Sequence, residues 1–138
     1  MRYIRILRHQ HWEKQKGRFD YRSFKKLGDG ISVIDKQCVE QKGGDICKHI
    51  ATHYRTVTSD PIIFWDFDQK TLPAHQIKST PMPADECHCD LVEISNEAAK
   101  KMFYEYQRKN GINGFYICDK SEGPRSLTLD DTANLGSF

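Results

Sequence analysis

The sequence predicts an α+β domain, a single mixed sheet covered by about three helices, and three observations lead there. Short apolar runs of strand character alternate with segments of helical periodicity in the order β-α-β-α-β-β-α-β. Two of the helical segments open on a capping residue, Asp45 and Ser95, ahead of a one-sided apolar stripe. No internal repeat, low-complexity tract or long Gly/Ser linker divides the 138 residues. One compact domain is therefore expected over 1–125, with 126–138 as a flexible or partner-dependent tail.

The elements follow in order. A first strand is expected from Arg2 to Arg8, where Tyr3, Ile4, Ile6 and Leu7 interrupt the arginines, which would then lie along one exposed face or edge. Residues 9–19 read as a loop anchored inward by Trp12 and Phe19. Asp20 caps a short helix through Leu27, with Phe24 and Leu27 about one turn apart and Gly28 placed to end it in the left-handed region. The turn Gly28-Asp29-Gly30 feeds a strand from Ile31 to Ile34. Behind Asp45, the residues Ile46, Ile50, Tyr54 and Val57 fall on one helical stripe, widened by Cys47 and Ala51. A strand from Ile62 to Phe67 comes next.

Residues 71–86 hold three of the five prolines and form the longest irregular segment, a candidate mobile or ligand-facing loop with a short strand at His75 to Lys78 inside it. Cys89 to Ile94 reads as a strand. Ser95 caps the clearest helix, where Ala98, Met102, Phe103 and Tyr106 share a face, Glu97 suits the first turn and Arg108 and Lys109 suit the last. Asn110-Gly111 stops it, and Phe115 to Cys118 supplies another strand. The predicted core takes Ile4, Ile6, Phe24, Val33, Ile50 and Tyr54 from the first half and Ile63, Trp65, Leu91, Met102, Phe103, Tyr106 and Phe115 from the second.

Composition narrows the function classes. With 38% hydrophobic and 29% charged residues, no apolar stretch approaches the roughly 20 residues needed to cross a bilayer. The arginines of the first eight residues leave no apolar h-region of a secretory signal. Five cysteines, an odd number, then suit a reducing cytoplasm better than a disulfide framework. The net charge of +2 hides an asymmetry: residues 1–26 carry nine Lys or Arg against Glu13 and Asp20, while the rest of the chain is net acidic. A basic segment of this kind suits an acidic protein or nucleic acid, and Arg5, Lys14, Lys16, Arg18, Arg22, Lys25 and Lys26 are the candidate binding residues.

The sequence holds no complete catalytic signature. Gly-x4-Gly-Lys-Ser/Thr, Gly-x-Gly-x2-Gly and Gly-x-Ser-x-Gly are all missing. The His9-x-His11, Cys47-x-His49-x3-His53 and Cys87-His88-Cys89 groups have ligand types that zinc takes, but their spacing forms no knuckle, and no metal is assigned. No cofactor is expected for a binding domain.

The densest pattern of specific residue types is Arg8-His9-Gln10-His11-Trp12, Gly17-Arg18-Phe19, Phe24 and Gly28-Asp29-Gly30-Ile31-Ser32-Val33. In this it resembles the N-terminal part of small uncharacterised bacterial proteins with an arginine-ended first strand and an Asp-Gly-x-Ser-Val strand, a resemblance that implies no particular activity. It also resembles, more distantly, ADP-ribosyltransferase-like folds, which place an Arg or His on the first strand, a Ser or Tyr on the second and a Glu near a later one. That resemblance implies an NAD-dependent, toxin-like enzyme with Arg8 or His9 as ribose or phosphate anchor, Ser32 supporting the nicotinamide side, and Glu93 or His88 reaching the same cleft. The leading expectation is a cytoplasmic interaction domain, with the NAD enzyme as the alternative.

Overall fold

Alternation along the first strand sets the architecture. In the computed structural model, which describes residues 1–54, 61–119 and 123–135, strand β1 (Arg2–Leu7) buries Tyr3 and Leu7 in one core and Ile4 in another. The strand thus has a core on each side. The arginines recur every third residue, so a period of two places Arg5 on the side opposite Arg2 and Arg8, and they do not share one face as expected.

β1 lies at the centre of a seven-stranded sheet. After the small hairpin β2 (Trp12–Glu13) and β3 (Arg18–Phe19) come β4 (Gly30–Asp35), β5 (Ile63–Asp68), β6 (Gln76–Ser79), β7 (His88–Val92), β8 (Tyr116–Asp119) and β9 (Gly123–Ser126). The order across the sheet is β6-β7-β4-β1-β5-β8-β9. The class is α+β, and every pairing is antiparallel where a mixed sheet was expected. Among the described residues four α-helices accompany it: α1 (Lys36–Gln41), α2 (Ile46–His53), α3 (Asn96–Asn110) and α4 (Leu129–Thr132). Asp20 does cap a helical turn, but the turn is a 3-10 segment, Tyr21–Phe24, shorter than the helix expected through Leu27. Val57, expected on the α2 stripe, lies outside the described residues.

The larger core fills the α3 side of the sheet. Phe24, Trp65, Phe103 and Phe115 are essentially inaccessible there, and Phe19 packs edge-on to Phe115 at 5.4 Å between centroids. Gln107 on α3 ties the hairpin down: its Oε1 accepts from the Phe19 amide at 2.8 Å and its Nε2 donates to the Phe19 carbonyl at 3.0 Å. One buried side chain thereby satisfies both backbone groups of a buried residue. The smaller core lies between the other sheet face and α1–α2, and joins Ile4, Ile34 and Phe64 to Val39, Ile46 and Ile50.

That second layer is covalently fastened. Cys38 at α1 is joined to Cys87 before β7, and Cys47 in α2 is joined to Cys118 in β8, leaving Cys89 as the free, buried cysteine. The reading of the cysteines as unpaired thiols is thus corrected for four of the five. An odd total is no obstacle to two bridges, and the pairing arises from contacts 49 and 71 residues apart in sequence.

The C-terminal segment is also corrected through residue 135. β9 pairs with β8 over Tyr116–Ser126 to Asp119–Gly123, and Leu127 and Leu135 are buried in the larger core. Thr128 and Asp131 form a reciprocal capping box at the start of α4. Arg125 donates from both Nη atoms to Asp131, each at 2.8 Å, and from Nε to Asp119 at 3.1 Å.

Candidate functional site

The site grows out of a defect in the sheet. β1 pairs with β5 along its whole length, from Arg2–Asp68 to Leu7–Ile63, but its ladder with β4 comprises only Tyr3–Asp35 and Ile4–Ile34. Beyond Ile4 the two strands have no ladder, and the Arg5 side chain takes over. Its Nε donates to the Ser23 carbonyl and its Nη1 to the Ser32 carbonyl, both at 2.8 Å, so the guanidinium bridges β4 and the Tyr21–Phe24 turn. Gly30 starts β4 tight against β7: a Cβ there would stand 2.9 Å from the Asp90 Cβ and 3.0 Å from the Leu91 carbonyl oxygen.

A cleft of about 440 Å³ opens over this gap. Its cationic lining is Arg5, Arg8 and Lys25, with His9 and His88 beside them, and the described lining contains no Asp or Glu. Burial, and then repulsion by Arg8, push the Arg5 guanidinium down to about 10. Both bonds of Arg5 given above end on neutral carbonyl oxygens, and no carboxylate ion-pairs with it among the described residues. The remaining walls are mainly apolar, with Ile34 and Ile50 buried, Ile6, Tyr54 and Ile62 half-buried, and Leu27 and Met82 exposed.

His88 enters the cleft from β7, opposite Ile34. Its Nδ1 lies 2.9 Å from the Thr80 carbonyl, which can only accept, so Nδ1 carries a proton in this arrangement. The Thr80 hydroxyl in turn donates to Asp90 at 2.9 Å. Ser32 Oγ is 3.5 Å from Asp90, at the outer limit of a hydrogen bond, on the strand position directly across.

The cleft brings together four of the five candidate catalytic residues: Arg8, His9, Ser32 and His88 all line it. Glu93 does not. It follows the end of β7 as an exposed residue with φ 57, turning the chain toward α3. Of the candidate binding residues, Arg5 and Lys25 line the cleft, and the others are dispersed. Lys14 and Lys16 are exposed at the hairpin turn, with Lys16 3.6 Å from Glu13. Arg18 lies 3.4 Å from Glu13 and stacks 3.9 Å above the Tyr104 ring, Arg22 pairs with Asp20 at 3.1 Å, and the Lys26 amide bonds Asn96. Seven basic residues close in sequence are thus split between an interior cleft and a partly neutralised surface.

Tyr54 was expected only as a core residue, yet it borders the cleft and anchors a buried polar group. Its hydroxyl donates to Asp85, whose other oxygen accepts from the Cys87 amide at 2.9 Å and lies 3.0 Å from His49 Nε2. Burial disfavours the Asp85 carboxylate, but the Tyr54 hydroxyl, the Cys87 amide and His49 together outweigh it and hold its pKa below the ordinary value. Burial first, and the Asp85 carboxylate next, push Tyr54 up. A depressed carboxylate stabilises the fold above its unfolded pKa, and that contribution disappears as pH falls through the folded value. Denaturation at pH 6 and pH 3 should therefore show a smaller loss on acidification in Asp85→Asn than in the wild type. An equal loss in both would remove Asp85 from the acid response.

No group of three or more potential metal ligands occurs among the described residues, and the disulfides remove Cys47 and Cys87 as thiolate ligands. The His49 and His53 rings are tilted at 49° to each other with centroids 4.5 Å apart. No helix is long and apolar enough to cross a membrane among the described residues. Comparison with family models, curated proteins and solved structures gives no match for this chain.

Proposed function

We propose that this chain is a binding domain that anchors an acidic group of its partner in the cleft, using Arg5, Arg8 and Lys25 of the basic segment 1–26. The observation that carries this reading is the half-buried Arg5 guanidinium on the cleft lining, beside Arg8 and answered only by carbonyl oxygens among the described residues. A partly desolvated cation without a counter-charge costs stability, and an anionic ligand supplies the missing charge. The partner is an acidic protein or a nucleic acid. The steepness of the salt dependence separates them, because each neutralised phosphate releases counterions.

The test uses the oxidised full chain with two labelled probes, an oligoglutamate peptide and a dT15 oligonucleotide, in fluorescence anisotropy. Arg8 is exposed, so Arg8→Glu should fold and lose at least about tenfold in affinity, whereas Lys101→Glu on α3 should be silent. Failure of both probes to bind, or binding indifferent to Arg8→Glu, would overturn the proposal.

The presence of Arg8, His9, Ser32 and His88 in one cleft also supports an NAD-dependent transferase as a second reading. ADP-ribose transfer needs a carboxylate near the reacting ribose, and Glu93 is not in the cleft, which is why binding leads. Nicotinamide release on incubation with NAD would reverse that order. For the compartment, two disulfides in a chain of this size support an oxidising environment over the cytoplasm suggested by the odd cysteine count.

A further inference from the structure

We infer that the cleft prefers an amphiphilic anionic group, a phosphate or carboxylate head on an apolar body, to the bare charged backbone of a polyanion. This rests on the reading of the cleft as an anion site and adds the chemistry of its other walls. More than half of the lining is aliphatic, Met or Pro, which a hydrated phosphate or a nucleic-acid backbone would leave in contact with water. The cleft volume of about 440 Å³ accommodates about fifteen non-hydrogen atoms at roughly 30 Å³ each. That is enough for a head group and a chain of about ten carbons.

Two further features fit such a ligand. Leu27 is 92% exposed and Met82 36% exposed, and both border the cleft, so apolar surface continues from its interior to its rim. Arg8 is exposed on the lining and offers a planar fork suited to a phosphate or carboxylate head, with Arg5 and Lys25 lining the same cleft. His88, with Nδ1 held on the Thr80 carbonyl, is a further polar residue of the same lining. The head group's charge supplies the counter-ion that the described protein groups do not, and the body covers the aliphatic walls.

Titration calorimetry on the oxidised full chain tests this with decyl phosphate, decanoate, inorganic phosphate and decanol, each below its aggregation threshold. Decyl phosphate or decanoate should bind about a hundredfold tighter than inorganic phosphate, the gain expected from roughly four buried methylenes. Arg8→Glu should abolish binding of both amphiphiles. Leu27→Ser, at an exposed position that the fold tolerates, should weaken the amphiphiles at least about threefold and leave inorganic phosphate unchanged. If phosphate or dT15 binds and the alkyl chain adds nothing, this inference is wrong while the anion site stands. If decanol binds as well as the amphiphiles, the cations play no part and the inference is wrong. If no anion binds at all, both it and the proposed function fall. Preference for decyl phosphate over decanoate, or the reverse, identifies the head group.

Discussion

A Cys47→Ser, Cys118→Ser double variant is expected to lose about 4 kcal/mol of stability, the loop-closure contribution for residues 71 apart in sequence. The helix it frees is then held by the smaller core and by the His49 and Tyr54 contacts to Asp85. α2 has eight residues and buries Ile46 and Ile50, well below the roughly 12 to 15 residues at which an isolated helix becomes even marginal in water. Because Ile50 and Tyr54 form one wall of the cleft, the variant should also lose ligand affinity at temperatures where α3 and its core remain folded. Guanidinium denaturation without reductant, followed by far-UV circular dichroism, measures the stability. A midpoint equal to that of the wild type would mean that these two sulfurs are not joined in the protein.

Phe103→Ala is the substitution with the other large expected effect, a loss of about 3–5 kcal/mol from removing a fully buried aromatic. Phe103 has no accessible surface, and its ring centroid lies 5.3 Å from that of Trp65, 5.8 Å from Phe24 and 6.0 Å from Phe115. No single neighbour can fill the space, since each ring is already held by others. The control is Lys101→Ala, exposed on the same helix, which should change stability by less than about 0.5 kcal/mol. A Phe103→Ala midpoint indistinguishable from that of Lys101→Ala would take Phe103 out of the core.

The parts of the fold that a linear reading reaches are those whose cause is local. The Asp45 side chain accepts from the amides of Cys47 and Lys48, Ser95 accepts from Ala98, and Gly111 at φ 66 ends α3, all through groups within four residues of one another. Trp12 and Phe19 are buried anchors as their aromatic character predicted. Ile6, Tyr54, Met102 and Tyr106 belong to the cores but are half-buried, because each sits where its layer meets solvent.

What a linear reading misses depends on distant chain. α1 is six residues long and buries Val39 alone, so no stripe announces it. The C-terminal segment is anchored by two leucines eight residues apart and by Arg125 reaching Asp131. In the site, Arg8, Ser32 and His88 could be paired in advance, since strand ends and matching alternation point them toward one face. Arg5 could not be placed correctly, because its role depends on β1 and β4 parting after Ile4–Ile34, a property of two segments that neither displays alone. Glu93 fails as a cleft residue because the alternation of β7 gives His88 and Asp90 to the face of Ile34 and Ser32 but Cys89 and Leu91 to the larger core, which puts position 93 on the far side, and its left-handed backbone then turns the chain away.

The order of the bridges has a topological consequence. Cys47 lies between Cys38 and Cys87, and Cys87 lies between Cys47 and Cys118, so the two covalent loops interleave instead of nesting or following one another. Any single break of the backbone between residues 38 and 118 is crossed by at least one sulfur bridge, and a break between 47 and 87 is crossed by both. The irregular stretch around Met82, exposed and the natural place for a protease to cut, falls in the doubly crossed part. A chain nicked there remains one molecule of unchanged mass apart from the added water, and separates into two pieces only when both bridges are reduced.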